Sequence, residues 1–245
     1  MLALLVAGTV PARAQAQRGP LLGEIQVVGT QTVRAEQVVA WSGLEVGEPV
    51  SREVIATAIR ELYATGKFRD VFVYESEIRP GVLQLILNLT EYPRLAEIRF
   101  EGTDELDEEE LADTVDLRVG SFLAPAAIRA AMDALRDEYR AEGYYRAEVD
   151  VDRSLLQMAG SQPLVFLITE NPKVQVRRIV VEGNEALDDD AITDVMSTKV
   201  DNWWRSGTFK LPDFEADLEK IVERYAKEGH LEAVIREHDI DFLED

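Results

Sequence analysis

Within the 245 residues one pattern recurs three times, at a spacing of about 75–80 residues. Ile25, Ile98 and Ile179 each stand four residues ahead of a glycine, Gly29, Gly102 and Gly183. Ile25 and Val27 oppose Glu24 and Gln26; Ile98 and Phe100 oppose Glu97, Arg99 and Glu101; Ile179 and Val181 oppose Arg178 and Glu182. A period of two with one apolar side predicts a half-buried strand. The glycine after it supplies a turn that a side chain resists. A short helix is predicted next. Asp107 and Glu110 have capping-box spacing, and Asp188, Asp189 and Asp190 lie where a helix dipole favours negative charge. A longer helix follows, with one apolar stripe per copy. The stripes are Ser51, Ile55, Ala58 and Leu62; Ile128, Met132, Leu135 and Tyr139; and Phe214, Leu218, Ile221 and Tyr225. Gly66, Gly143 and Gly229 then stand where a left-handed cap is expected, and Pro125 and Pro212 suit a first helical turn.

Two further strands complete the unit in the first two copies. In the first, 71–78 and 83–89 flank the turn Arg79-Pro80-Gly81, and Leu83, Leu85, Leu87 and Leu89 share one side. In the second, 148–156 and 164–169 correspond. The copies end alike, in Glu91-Tyr92-Pro93 and Glu170-Asn171-Pro172, where proline interrupts ladder pairing. The expected fold class is α+β: three tandem β-α-α-β-β units at 18–92, 93–172 and 173–245, each a small mixed sheet covered by two helices. Short linkers predict an elongated, semi-rigid array. The third unit lacks its last strand, because no counterpart of 83–89 occurs before Asp245. Four buried leucines are worth roughly 6–12 kcal/mol, comparable with the net stability of a small domain. This unit is therefore expected to be loosened, and the sequence to be a fragment. Ahead of the units, residues 1–17 hold an apolar run at 2–10 and the triplets Ala12-Arg13-Ala14 and Ala14-Gln15-Ala16, the pattern of a cleaved export signal.

Composition narrows the function. With 26 Lys and Arg against 47 Asp and Glu, the formal charge is −21. That excludes the basic footprint needed to grip nucleic acid or adsorb to anionic lipid. The absence of cysteine removes disulfides, thiolate zinc sites and cysteine nucleophiles. No Walker, dinucleotide, calcium-loop or Gly-x-Ser-x-Gly pattern occurs, so no enzyme activity, metal or cofactor is expected. His230 and His238, eight apart on a strand, would lie about 26 Å apart, too far to share a metal. Asp150 with Asp152, and Asp239 with Asp241, alternate with Val151 and Ile240 and read as wet strand faces rather than acid–base pairs. Trp203 and Trp204 precede the third long helix. They read as a contact hot spot or, as the favoured alternative, as caps on that unit's core. The acidic surplus is spread over all three units and reads as a surface habit.

Strand-Gly, short helix, long helix ending at Gly-x-aromatic, and two strands closing on Glu-x-Pro together resemble the POTRA (polypeptide-transport-associated) domain. Arg60 to Val73, with Ala64-Thr65-Gly66-Lys67-Phe68-Arg69-Asp70-Val71, and Trp203-Trp204 carry the resemblance most plainly, and it covers 21–242. Three copies behind an export signal are similar to the periplasmic arm of the BamA-like outer-membrane assembly factors. The resemblance implies a non-enzymatic, chaperone-like scaffold in the periplasm, attached to the outer membrane only through a C-terminal β-barrel outside this chain. It implies unfolded outer-membrane proteins and accessory lipoproteins as partners, with clients fed to the barrel for assembly. It also implies that the strand after each long helix is an exposed edge. Partner binding by β-augmentation then falls on Val71, Phe72, Val73 and Tyr74, on Val149 and Val151, and on Val234, Ile235, Arg236, Glu237 and His238. In the family the third edge also docks a propeller-shaped lipoprotein. Two alternatives remain: the arm of a related translocation or two-partner secretion factor, and a stand-alone periplasmic holdase.

Overall fold

The computed structural model describes residues 19–243, so the expected export segment lies outside the described residues. The chain packs as two compact units. The first runs to Glu97 and adds 117–128 and 153–164; the second takes 98–116, 129–152 and the chain from Val165 onward.

The first unit holds β1 (Leu21–Val28), α1 (Ala35–Ser42), α2 (Arg52–Ala64), β2 (Phe68–Arg79) and β3 (Val82–Glu91). The last strand in sequence is the middle one in space. The order is β1-β3-β2, with β1 parallel and β2 antiparallel to β3. Leu85 lies opposite Ile25, and Leu87 lies between Val27 and Val73. One face of all three strands is thus apolar. The helices cover it with Val38, Ala58 and Leu62, all buried with Leu85, Leu87 and Leu89. Ser51 belongs to the cap rather than the stripe: its hydroxyl accepts the Val54 N–H at the start of α2. Gly29 is required where β1 ends. Its φ is +86°, and a Cβ there would meet the Leu89 carbonyl oxygen at 2.2 Å.

The remaining elements are β4 (Arg94–Glu101), α3 (Glu108–Thr114), α4 (Pro125–Ala141), β5 (Glu148–Val151), β6 (Ser161–Thr169), α5 (Asp189–Thr193) and α6 (Leu211–Lys227). They repeat the plan, and the second sheet has the order β4-β6-β5 with β6 in the middle. Asp107 and Asp188 cap α3 and α5 through the N–H groups of Glu109 and Ala191. In α4 the whole stripe is buried, from Ile128 through Met132 and Leu135 to Tyr139. β5 is shorter than expected. It ends at Val151, and turns then close through Leu156 N–H to Arg153 O and Met158 N–H to Leu155 O. The Asp-Arg-Ser run after Val151 favours such local turns over a ladder.

The third copy keeps its helices and loses its sheet. Among the described residues, neither 179–181 nor 234–238 forms a strand, contrary to the expectation for both. In the first two copies both flanking strands bond to the middle one. Among the described residues of the third copy no strand stands in the place of β3 or β6, and the two flanking segments form no ladder. The stripe of α6 is accordingly only half-buried, at Phe214, Leu218, Ile221 and Tyr225. The fold is α+β throughout, with six helices and two three-stranded mixed or antiparallel-edged sheets among the described residues.

Candidate functional site

The edge of the first sheet is set by one hydrogen bond. Val71 donates its N–H to the Tyr63 hydroxyl of α2 at 3.1 Å, away from β3. Backbone groups alternate sides along a strand, and the β2–β3 register is unbroken from Asp70 to Glu77. The N–H and C=O groups of Val73, Glu75 and Glu77 therefore face outward, while those of Phe72, Tyr74 and Ser76 face β3. Among the described residues, no hydrogen bond reaches the outward groups of Val73 and Glu75. Side chains follow the same period. Val73 packs on the core beneath the helices. Phe72 and Tyr74 stand on the helix-free face, 54% and 53% exposed.

The second sheet's edge is short and partly occupied. Asp152 donates its N–H to Val165 O of β6 at 2.9 Å, so Val149 and Val151 present their backbone outward. The Val149 carbonyl accepts from the Arg136 guanidinium of α4 at 2.6 Å. The Val151 N–H donates to the Asp150 carboxylate at 2.8 Å. Side chains of the unit itself thus hold part of the rim. The third expected edge, Val234, Ile235, Arg236, Glu237 and His238, has no ladder at all. His238 instead sets its ring edge-on to Phe214, with centroids 5.7 Å apart. The three rims that the sequence treats alike are one open strand, one engaged strand and one segment without a sheet.

The opposite rims reveal a device that the sequence reasoning missed. At β1, Gly47 N–H donates to Leu22 O and Val50 N–H to Pro20 O, at 2.7 and 2.8 Å. At β4, Gly120 N–H donates to Leu95 O and Leu123 N–H to Pro93 O, also at 2.7 and 2.8 Å. At 174–176, Val176 N–H donates to Gly207 O and Phe209 N–H to Val174 O, again at 2.7 and 2.8 Å. In the first two copies the segment just ahead of the long helix pairs with the start of the first strand, and in the third the same segment pairs with 174–176, which forms only an isolated bridge. Its signal was present, since a glycine precedes an apolar residue by two or three positions there each time.

The terminal glutamates also do more than end a unit. Glu91 accepts the N–H groups of Gln31, Thr32 and Val33 at 2.9–3.0 Å and the Thr32 hydroxyl at 2.5 Å. Burial pushes its carboxyl up, but the Thr32 hydroxyl and the three N–H groups outweigh that and hold it below the usual carboxylate range. Glu170 takes the Tyr139 hydroxyl at 2.9 Å and the Glu105 N–H. Arg94 follows the first Glu-x-Pro. It donates to Thr32 Oγ1 and Gly120 O at 3.0 and 2.8 Å and lies over the Phe122 ring. In α6, Asp217 is fully buried and accepts the Ser197 and Thr198 N–H groups at 2.6 and 2.7 Å, beside the Lys220 ammonium at 2.7 Å.

Trp203 and Trp204 do not cap the core; they are 80% and 77% exposed. Asn202 and Arg205 exchange backbone hydrogen bonds at 3.0 and 3.1 Å, and the tight turn between them leaves both indoles at its tip.

A family model described as POTRA, surface antigen variable number repeat, matches residues 93–171 and 174–245. The chain is 25% identical over 231 residues to the outer membrane protein assembly factor BamA of Nitratidesulfovibrio vulgaris, covering 93% of this chain and 29% of that protein. It is 25% identical over 230 residues to the BamA of Neisseria meningitidis serogroup B, covering 91% and 28%. The chain thus spans less than a third of the length of these relatives. Among solved structures, the N-terminal domain of Omp85 from the thermophilic cyanobacterium Thermosynechococcus elongatus aligns with a TM-score of 0.50 at 18% identity, covering 83% of this chain and 85% of that one.

Proposed function

This chain belongs to the POTRA family, the surface antigen variable number repeats, and on that premise we propose that it is the periplasmic arm of a BamA-like outer-membrane assembly factor. It works as a non-enzymatic scaffold: it holds unfolded outer-membrane proteins in an extended form and passes them to a membrane β-barrel. Accessory lipoproteins of the same machine are its other partners. Clients bind by adding a strand to the sheet rim.

The observation that carries this reading is the outward, unbonded backbone of Val73 and Glu75 on β2. Such a rim recognises any extended chain through main-chain hydrogen bonds, which are indifferent to the guest's sequence. That suits a factor serving many clients. The test is binding of a urea-unfolded outer-membrane barrel protein, diluted into the full chain and its Val73→Pro variant. Proline removes an outward N–H and leaves the β2–β3 ladder whole. Client binding should fall at least tenfold while far-ultraviolet circular dichroism stays the same. Equal binding by the two proteins would overturn the reading.

A further inference from the structure

We propose that the β2 rim is selective as well as adhesive: it takes extended segments that alternate apolar side chains with basic ones. This rests on the reading of β2 as the client-binding edge and names the class of guest that fits it.

A guest strand paired to Val73, Glu75 and Glu77 places its side chains alternately on the two faces of the sheet. On the helix-free face its residues fall beside Phe72 and Tyr74, each about half exposed. That face has no helix of its own unit over it, and Ile86 of the middle strand continues the row next to Tyr74. Cross-strand aromatic and β-branched pairs contribute where they meet on such a face. On the other face the guest passes Glu75 and Glu77. Both are exposed, because β2 runs past the helices toward Arg79; Glu77 accepts the Gly81 N–H at 2.9 Å with one oxygen, and Glu75 is the carboxylate left to the guest. Like charges placed directly opposite are unfavourable, and opposite ones favourable. The chain's formal charge of −21 adds a longer-range preference of the same sign. One face thus asks for apolar residues and the other for lysine or arginine, at the same period of two that the backbone demands. A helix or a compact domain meets neither requirement, since it offers no free strand.

The experiment measures binding of three fluorescent ten-residue peptides with blocked ends to the full chain. One alternates valine and phenylalanine with lysine. The second carries glutamate in place of lysine. The third has the composition of the first with the alternation broken. The lysine peptide should bind best. The Phe72→Ser/Tyr74→Ser variant should weaken it about two- to thirty-fold, as two lost cross-strand pairs imply. Glu75→Lys should reverse the order of the lysine and glutamate peptides. All three altered side chains are exposed, so folding is checked simply by an unchanged urea midpoint. If Val73→Pro abolishes binding but all three peptides bind alike to every other protein, selectivity is overturned and strand addition stands. If Val73→Pro leaves the lysine peptide bound, strand addition falls and selectivity falls with it.

Discussion

At Glu91 a single carboxylate gathers the N–H groups of three successive residues and one hydroxyl, from a loop 58–60 residues upstream. The loop follows β1 and has no ladder of its own, so the carboxylate replaces the partners that a strand would provide. Its ionised form is the one that accepts all four donors, and its folded-state titration is held low. The linkage follows in sign. The unfolded chain takes up a proton near the ordinary value of about 4.3, above the folded one. The stabilisation is therefore fully present above about pH 4.3 and is lost as pH falls through the depressed folded value. Glu91→Gln keeps the shape but turns an amide N–H toward donors. It should cost about 1.5–3 kcal/mol at pH 7, with the gap to the unaltered protein closing as pH drops below about 4. Urea titrations followed at Trp41, which packs on the same core, measure this directly; a gap that persists at pH 3 would contradict the carboxylate's assigned part. The Glu-x-Pro motif is plain in the sequence, yet the role of its glutamate is not. The sequence locates the acid, while its donors are main-chain groups that any residues would offer.

Strands differ from helices in how much of their placement is local. The long helices are legible because stripe, cap and terminal glycine all lie within one short segment: Leu62, Thr65 and Gly66 settle the end of α2 together. The order of the strands is not local. Nothing within 83–89 says that it runs between the other two, although its four leucines, with Ile86 on the other face, suit a middle strand. That 71–74 is an edge follows only from family resemblance, and the orientation of its backbone is fixed by the Tyr63 hydroxyl. That orientation separates two neighbouring prolines. Phe72 faces β3, so Phe72→Pro breaks a ladder bond and should cost about 3 kcal/mol or more. Val73 faces outward, so Val73→Pro should lower stability by less than about 1 kcal/mol. Comparing their urea midpoints tests the alternation itself: equal losses, or the reverse ranking, would mean that the rim is turned the other way and that Val73 is not offered to a guest. The second rim fails to follow from sequence for a related reason. Arg136 lies on α4 and reads as an ordinary surface residue until its guanidinium is placed on Val149 O.

For the molecule as a whole, the three copies share a plan but not a degree of order. Periodicity reports the plan, because each copy repeats the same caps and stripes. It does not report cooperativity, which depends on the middle strand. In the first copy that strand buries Leu85, Leu87 and Leu89 almost completely and bonds on both sides. Its amides open only when the unit unfolds. In the third copy, 178–183 and 234–242 form no strand, and the stripe of α6 is only half-buried, with Phe214 against the His238 ring. The third copy is held by a small core of Ile192, Met196 and Phe209, with Phe214 and Phe242 against Phe209, by Asp217 on the Ser197 and Thr198 amides, and by the short pairing of 174–176 with 207–209. Native-state hydrogen exchange on the 245-residue chain should therefore divide it sharply. Amides at 85–89 should exchange at the rate of global unfolding. Those at 178–183 and 234–242, which form no strand, should exchange with opening free energies near zero. Asp217→Ala should release the N–H groups of Ser197 and Thr198 without altering exchange at 85–89, because separate cores lose stability separately. Protection at 234–242 matching that at 85–89 would show that the flanking segments find another partner. The middle strand would then not be what orders a unit of this fold.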